Sequence, residues 1–421
     1  MQSIAALTGI LVFIGIAWGL SFRRRLFPWR TVVAGLLIQA AIALVILRTE
    51  LGRWVFDLAQ NAVNRLLAFA GEGARMVFGP LADGALLADK FGPSHAYVFA
   101  VSVTATIIVV AALSALLYHW GVLQRVVAAM AWVMQRVMRT SGSESLAAAA
   151  NIFMGQTEAP LVIRPYLARM TRSEIMALMT GGMATIAGGV GAVYVGLGVR
   201  AGEANMAGHL LTASVMSAPA ALLVAKVMLP ETESSETAGN APLTAGRDTS
   251  NAVDALCRGA GEGMMLSINV LAMVIAFVAV VALANFIFQS AQSWVGIGTP
   301  RSLQELVGWL NAPMAWLMGV PWKDCTVIGG TLGERIVLNE FIGYTSLAAQ
   351  RTTIEPRSFV IATYALCGFA NFGSIAIQIG GIGALAPERR ADFAALGGRA
   401  MVGGVLASYI TASIAGLVMP A

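Results

Sequence analysis

A polar stretch at residues 151–161 places an amide, a hydroxyl and a carboxylate side by side in apolar surroundings. The apolar arm before it covers 146–154, and the arm after it ends at Arg164. Both arms are much shorter than the roughly 20 residues that a helix needs to cross a bilayer core. Glu144 and Arg164 at the outer ends indicate that both arms return to the same water surface, and Pro160 favours a break between them. The stretch therefore predicts a re-entrant hairpin with its tip near mid-membrane, as a transporter's substrate site requires.

The composition is that of a helical membrane protein. Of the 421 residues, 57% are hydrophobic and 12% are charged. The net charge of +5 comes largely from basic residues at the ends of apolar runs, so we expect no nucleic-acid partner. The sequence has no phosphate loop and no His-Glu-x-x-His motif, and its three cysteines lack metal or redox spacing. ATP-driven transport and metalloenzyme chemistry are therefore unsupported.

The apolar runs predict an all-α integral membrane protein of the cell inner membrane. We expect about eight transmembrane helices, two opposed re-entrant hairpins in an inverted repeat, and interfacial helices. Basic residues at 22–30 place that loop in the cytoplasm, so both termini are expected outside. The predicted spans are 4–20, 31–47, 96–118, 175–198, 206–229, 266–288, 359–386 and 393–419.

A second short-armed element begins at Lys323. Its apolar arm is expected to end at Gly333, and Arg351 closes the unit. The predicted topology makes this hairpin enter from outside, opposite to the first. The remaining segments are expected to be interfacial at 48–90, 119–139 and 251–263, and a flexible cytoplasmic linker at 230–250.

Four segments follow from this pattern. We expect a scaffold of the first three spans, the first half of a transport domain, a linker with a scaffold span and an external segment, and the second half of the transport domain. Their boundaries are 1–118, 119–230, 231–322 and 323–421.

Glu158 and Glu340 are the residues that are costliest to place in a membrane. An ionisable side chain at mid-membrane costs at least about 2.5 kcal/mol on insertion scales, so it usually marks a pathway or a site. The alternative is a packing role, with each carboxylate neutralised by an arginine or by backbone donors. Because the two glutamates occur on two matching hairpins, we favour the site.

Small or polar residues interrupt two of the spans. Around Thr185 and Gly188 the break can free backbone carbonyls, which together with the oxygen of Asn151 would suit a hard cation. Close helix packing is the alternative interpretation of the glycines. The opposite span is interrupted at 367–374, where Phe369 offers a face for a planar ligand or is an ordinary core residue.

Three motifs resemble the signatures of the concentrative nucleoside transporter family, in the same order. They are GQTEAPL at 155–161 followed by IRPYL at 163–167, NEF at 339–341, and CGFAN at 367–371. The resemblance implies a homotrimeric importer of nucleosides such as uridine. It also implies that sodium (in some branches protons) drives import and that a transport domain moves past a fixed scaffold.

The resemblance also implies roles for individual residues. The nucleobase would be bound by residues of the first hairpin and packed between two apolar side chains: Gln156, Thr157, Glu158, Val190 and Phe369. The ribose would be bound by Glu340, Asn371 and Ser374. Sodium would be held by the side chains of Asn151 and Thr185 and by the carbonyls of Met154, Thr185 and Ile186.

Some positions depart from the family pattern. Arg335 replaces a usual Lys, and Ile342-Gly343 replaces a usual Val-Ala. Thr185 replaces a usual Ser, and Phe372-Gly373 is a local variation.

Sodium is favoured over protons because neither Asn151 nor Thr185 titrates, whereas the histidines stand at span ends. Two other classes remain open: an intramembrane enzyme that uses Glu158 and Glu340 as an acid–base pair, and a channel with the hairpins as its filter. The missing nucleophile and the non-identical hairpins argue against both. The prediction is therefore a sodium-driven nucleoside symporter, with proton coupling as the alternative.

Overall fold

The computed structural model of the protein describes residues 2–92, 98–238 and 249–419, which are largely helical. The first part contains α1 (Gln2–Gly19), α2 (Trp29–Arg48), α3 (Glu50–Phe78), α4 (Gly84–Phe91), α5 (Phe99–His119) and α6 (Val122–Met138). Next come α7 (Gly142–Asn151), α8 (Ala159–Val162), α9 (Arg164–Leu167), α10 (Arg172–Ala184), α11 (Gly188–Arg200) and α12 (Met206–Met228). The last part contains α13 (Ala252–Trp294), α14 (Leu303–Leu317), α15 (Trp322–Val337), α16 (Glu340–Ala349), α17 (Pro356–Leu366), α18 (Phe372–Leu385) and α19 (Arg390–Val418).

The predicted all-α membrane fold is confirmed. Within the described ranges, 7 helical segments are long and apolar enough to cross a membrane. They are Gln2–Gly19, Trp29–Arg48, Phe99–His119, Arg172–Arg200, Met206–Met228, Ala252–Trp294 and Pro387–Val418. The remaining predicted span, 359–386, is divided between α17 and α18 by a non-helical segment, so neither of its helices is long enough to be counted alone.

The polar tip of each short-armed element lies between helices. Helix α7 begins with a capping box of Ser141 and Glu144, and the backbone leaves the helix after Asn151. Helix α15 runs four residues beyond the expected end of its arm, and Asn339 then caps α16 by accepting from the Ile342 amide at 3.0 Å. In both cases a glutamate follows directly on the turn: Glu158, which is half-buried, and Glu340, which is buried.

The two interrupted spans cross at their breaks. The backbone at Thr185, between α10 and α11, is extended, and its carbonyl accepts from the amide of Phe369 at 3.3 Å. A Cβ added to Gly368 would lie 2.7 Å from the Met183 carbonyl oxygen, so only glycine permits this approach. The crossing brings the ends of four short helices to one point in the core.

Two local expectations differ from the structure. The stretch 251–263, expected as a separate interfacial segment, is continuous with the following span in the 43-residue helix α13. Glu144, expected at the water surface, is buried and pairs with Lys226 at 2.7 Å. The helix simply continues from 251–263 into the apolar span. Glu144 can be buried because Lys226, which is distant in sequence, neutralises its charge.

Candidate functional site

The two hairpin tips and the two helix breaks surround one cavity of about 440 Å³. Helices α5 and α13 close its remaining side. The cavity lining includes all eight residues predicted to contact substrate: Gln156, Thr157, Glu158, Val190, Glu340, Phe369, Asn371 and Ser374. Residues separated by up to about half the chain therefore meet at one place.

Glu340 is held in a fixed orientation by two hydrogen bonds. The Tyr194 hydroxyl donates to Oε1 at 2.8 Å, and the Asn371 amide donates to Oε2 at 3.1 Å. The Oδ1 atom of Asn371 in turn accepts from the Ser374 backbone amide at 2.9 Å, which caps α18. The carboxylate thus connects the second hairpin, the α11 helix and the second helix break.

Amide and hydroxyl groups form a second hydrogen-bond network, which is centred on Gln156 of the first hairpin. Gln156 donates from Nε2 to the Ser374 hydroxyl at 3.2 Å and accepts on Oε1 from Gln378 at 3.0 Å. Gln378 also donates to the Met179 carbonyl at 3.1 Å. This network fixes the tip of the first hairpin to α18 and orients a side chain that has both donors and acceptors.

Glu158 lies at the N-terminal end of α8 and has fewer hydrogen bonds than Glu340. Its Oε2 accepts from the Gly155 amide at 3.1 Å. Among the described residues, neither Glu158 nor Glu340 forms an ion pair with an arginine or lysine. An ion pair with an arginine, the simplest packing explanation for these carboxylates, is therefore absent from the described ranges, although the charge of the buried Arg335 stabilises the Glu340 carboxylate electrostatically.

A candidate cation site lies behind the hairpin tip. Among the residues that the structure describes, neither polar atom of the buried Asn151 amide has a hydrogen-bond partner, and Asn151 Nδ2 lies 3.4 Å from the position of a Cβ added to Gly181. The Thr185 hydroxyl donates to the Gly181 carbonyl at 3.0 Å, so Asn151 and Thr185 flank the same turn of α10. Met154 and Ile186 lie in the adjoining non-helical segments.

The donor set of this site fits sodium. An unpartnered buried amide oxygen needs a partner, because leaving a buried polar group unsatisfied costs about 1–3 kcal/mol. Hard cations prefer oxygen ligands. No group of three or more His, Cys, Asp or Glu that could hold a metal occurs in the parts of the chain that the structure describes.

The prediction does not include Tyr194 and Asn269, which line the cavity, or Gln378, which does not line it but contacts Gln156. Tyr194 follows Val190 by one helical turn, and Gln378 follows Ser374 by one turn, so helical spacing puts each pair on one side of its helix. The hydrogen-bond partners of Tyr194 and Gln378 do not follow from that spacing. Asn269 is a polar residue inside the apolar part of α13, and a polar residue in such a segment often marks a functional site.

A second cavity of about 340 Å³ adjoins the first. The two share Glu158, Ala187 and Leu266 in their linings. The second extends to Arg164, predicted at the cytoplasmic end of the first hairpin, and to Glu262 in the stretch 251–263 that was predicted to be interfacial. The two cavities therefore adjoin at Glu158, and the second lies on the side of the first hairpin that carries Arg164.

Three family models match the chain. Their descriptions are Na+ dependent nucleoside transporter N-terminus at residues 8–81, Nucleoside recognition at 100–200, and Na+ dependent nucleoside transporter C-terminus at 209–416. An uncharacterized transporter of Haemophilus influenzae is 41% identical over 99% of this chain and 98% of its own length. Sodium/nucleoside cotransporter 1 of Mus musculus is 37% identical over 99% of this chain and 64% of its own length.

Solved structures agree with the fold over nearly the whole chain. CNTnw in an inward-facing substrate-bound state has a TM-score of 0.91 at 39% identity and covers 99% of this chain and 98% of that chain. A doubly substituted CNTnw in an outward-facing state also has a TM-score of 0.91, at 38% identity. The named relatives are transporters, so the enzyme alternative is set aside. The chain is a multi-pass membrane protein and belongs to the concentrative nucleoside transporter family.

Proposed function

We propose that the protein is a secondary active symporter that imports nucleosides across the cytoplasmic membrane, driven by a sodium gradient. The observation that carries the proposal is the meeting of eight predicted substrate residues around one cavity of about 440 Å³. The cavity combines apolar faces with a few convergent polar groups, which is the pattern of small-molecule sites.

Each end of the cavity suits a different part of a nucleoside. Gln156, Thr157 and Glu158 would bind the polar edge of the base, while Val190 and Phe369 would pack on its faces. Glu340, Asn371 and Ser374 would bind the ribose hydroxyls. The bonds from Tyr194 and Asn371 hold the carboxylate in place before substrate arrives, which reduces the ordering cost of binding.

Sodium would bind at the candidate cation site. The side chains of Asn151 and Thr185 and the carbonyls of Met154, Thr185 and Ile186 would supply its oxygen ligands. The orphaned amide of Asn151 supports this assignment, because the amide has no protein partner to lose when it turns to an ion. An ion there would join the first hairpin to the break between α10 and α11.

Alternating access would follow an elevator mechanism, with the hairpins and the broken spans moving past a scaffold in a homotrimer. CNTnw has been solved in inward-facing, outward-facing and intermediate states, which supports large motion in a relative of the same fold. The boundaries at 230 and 322 and the placement of both termini outside remain part of this proposal. The packing of α1 and α2 on α19 and α12 favours moving these two helices from the expected scaffold 1–118 to the transport domain.

The test is uptake of radiolabelled uridine by sealed proteoliposomes under an inward sodium gradient. A symporter accumulates unchanged uridine above the external concentration. A channel would only equilibrate it, and an enzyme would return a chemically altered product. Accumulation that follows an imposed pH gradient at constant sodium would replace sodium by protons as the coupling ion.

A further inference from the structure

We propose that Asn269 is a specificity-determining substrate contact, supplied by α13 from the side of the cavity opposite the hairpins. The inference rests on the proposed nucleoside site and adds a residue that lies outside all three motifs. Its basis is an unpartnered amide that faces the substrate cavity from an otherwise apolar wall.

The helical spacing of α13 directs Asn269 into the cavity. Six residues of this helix line the cavity, and all except Ala272 recur at intervals of three and four positions: Leu266, Asn269, Val270, Met273 and Val274. Such spacing defines one face of a helix. Ile268 and Asn269 are both exposed, but only Asn269 lines the cavity, so Ile268 lies on another face of the helix.

Asn269 differs from the other polar residues of this apolar segment. The hydroxyl of Ser267 donates to the Gly263 carbonyl at 2.8 Å. Asn285 donates to Gln304 at 2.8 Å and accepts from the Leu303 amide at 2.9 Å. Asn269 has no hydrogen bond within the described ranges. Because hydrocarbon offers an amide no partner, its groups must be satisfied from the cavity, by water or by substrate.

The chemistry of the opposite wall explains why a substrate group would meet this amide. The lining residues of α5 and α13 are Val103, Leu266, Asn269, Val270, Ala272, Met273 and Val274, of which only Asn269 is polar. A nucleoside has polar groups around its whole perimeter, and one that faced an apolar wall would lose water without replacement. The amide can donate to or accept from such a group.

The experiment compares Asn269→Leu with the control Ile268→Leu in proteoliposome uptake. The substrates are uridine and four analogues that each lack one polar group: 2′-deoxyuridine, 3′-deoxyuridine, 5′-deoxyuridine and 3-methyluridine. We expect Asn269→Leu to raise the KM for uridine about three- to tenfold, as for one neutral hydrogen bond. The increase should disappear for the one analogue that lacks the contacted group. The control should leave every KM unchanged.

Two results would overturn the inference. One is a KM for uridine in Asn269→Leu that equals that of the control. The other is an equal increase for uridine and all four analogues, since a change in cavity shape would act on every substrate alike. If Asn269→Leu fails to give a monodisperse protein, Asn269→Ser is measured against the same criteria. Failure of the unaltered protein to take up any nucleoside would instead refute the proposed function.

Discussion

At the scale of single residues, Glu340 is the most constrained group of the site. Each of its oxygens accepts a hydrogen bond, from Tyr194 and from Asn371. Three elements that are distant in sequence therefore depend on one carboxylate. A bound ribose would have to share this carboxylate, so its charge and its orientation should affect transport separately.

Substitutions of Glu340 and of its partner Tyr194 test whether charge and orientation act separately. Glu340→Gln removes the charge and should lower kcat/KM for uridine by a factor equivalent to about 1.5–3 kcal/mol, because hydrogen bonds to charged groups contribute that much. Tyr194→Phe keeps the charge and removes one orienting bond, so it should have a smaller effect. Uptake kinetics and calorimetric uridine binding measure both. Near-normal uptake in Glu340→Gln and in Glu158→Gln would return the carboxylates to a structural role.

The sequence reveals the costly residues more readily than their partners. Glu158 and Glu340 can be identified because a charge within an apolar segment needs a reason. Tyr194 and Gln378 cannot be identified in the same way, since a tyrosine or glutamine on a span is compatible with simple packing. Their bonds to Glu340 and Gln156 connect positions 146 and 222 residues apart, which no local pattern contains.

At the scale of elements, the base of the first hairpin depends on a buried ion pair. Lys226 of α12 contacts Glu144 of α7 at 2.7 Å, and their side chains are 8% and 1% exposed. Glu144 also caps its own helix by accepting from the Ser141 amide at 2.6 Å. The pair thus fixes the hairpin arm to α12, the second span after the hairpin.

Removing one partner of this pair should destabilise the protein. Lys226→Met leaves an uncompensated buried carboxylate and should lower the free energy of unfolding by about 3–5 kcal/mol. The double variant Lys226→Met with Glu144→Gln should recover part of the loss. Thermal unfolding in detergent measures the effect. The control is Lys323→Met, whose partner is Glu355 and whose side chain is 67% exposed, so little change is expected there. Equal melting temperatures for the two lysine variants would contradict the assignment.

Element boundaries were harder to predict than element types. Both hairpins follow from apolar arms that are too short to span, a constraint set by bilayer thickness. The continuity of α13 through 251–263 does not follow from composition, because its polar first turns resemble an interfacial helix. The division into moving and fixed parts is harder still, because it depends on packing. Helices α1 and α2 pack mainly on α19 and α12, which favours a scaffold smaller than residues 1–118.

Two engineered disulfides distinguish a scaffold that includes α2 from a scaffold that does not. In a Cys257→Ser background, Gly196→Cys with Leu67→Cys joins α11 to α3, where a Cβ at Gly196 would lie 3.8 Å from Leu67 Cδ1. This crosslink should stop turnover and spare uridine binding. Gly35→Cys with Leu223→Cys joins α2 to α12, where the corresponding Cβ would lie 3.2 Å from Leu223 Cβ. This second crosslink should leave uptake intact. Full transport with the first would exclude movement of α11 relative to α3, and blocked transport with the second would keep α2 in the scaffold.

At the scale of the whole molecule, the candidate cation site and the proposed substrate cavity adjoin the same two elements. Asn151 ends α7 just before the hairpin tip, and Thr185 lies at the break before α11, which carries Val190 and Tyr194. An ion held between them would tie the tip to the broken span. Sodium binding would then assemble the base-binding face of the cavity.

This coupling predicts that sodium and nucleoside tighten each other's binding by the same factor, about 5- to 150-fold for typical linked sites. Calorimetric titration of uridine in sodium and in choline, at fixed pH, measures that factor. Thr185→Ser keeps the hydroxyl and should retain the sodium effect, whereas Thr185→Val and Asn151→Leu should abolish it because each removes an oxygen ligand. Uridine affinity in choline should be similar in all these variants, since none of the substituted side chains lines the substrate cavity. Equal uridine affinity in sodium and choline for the unaltered protein would exclude the linkage and leave proton coupling as the alternative.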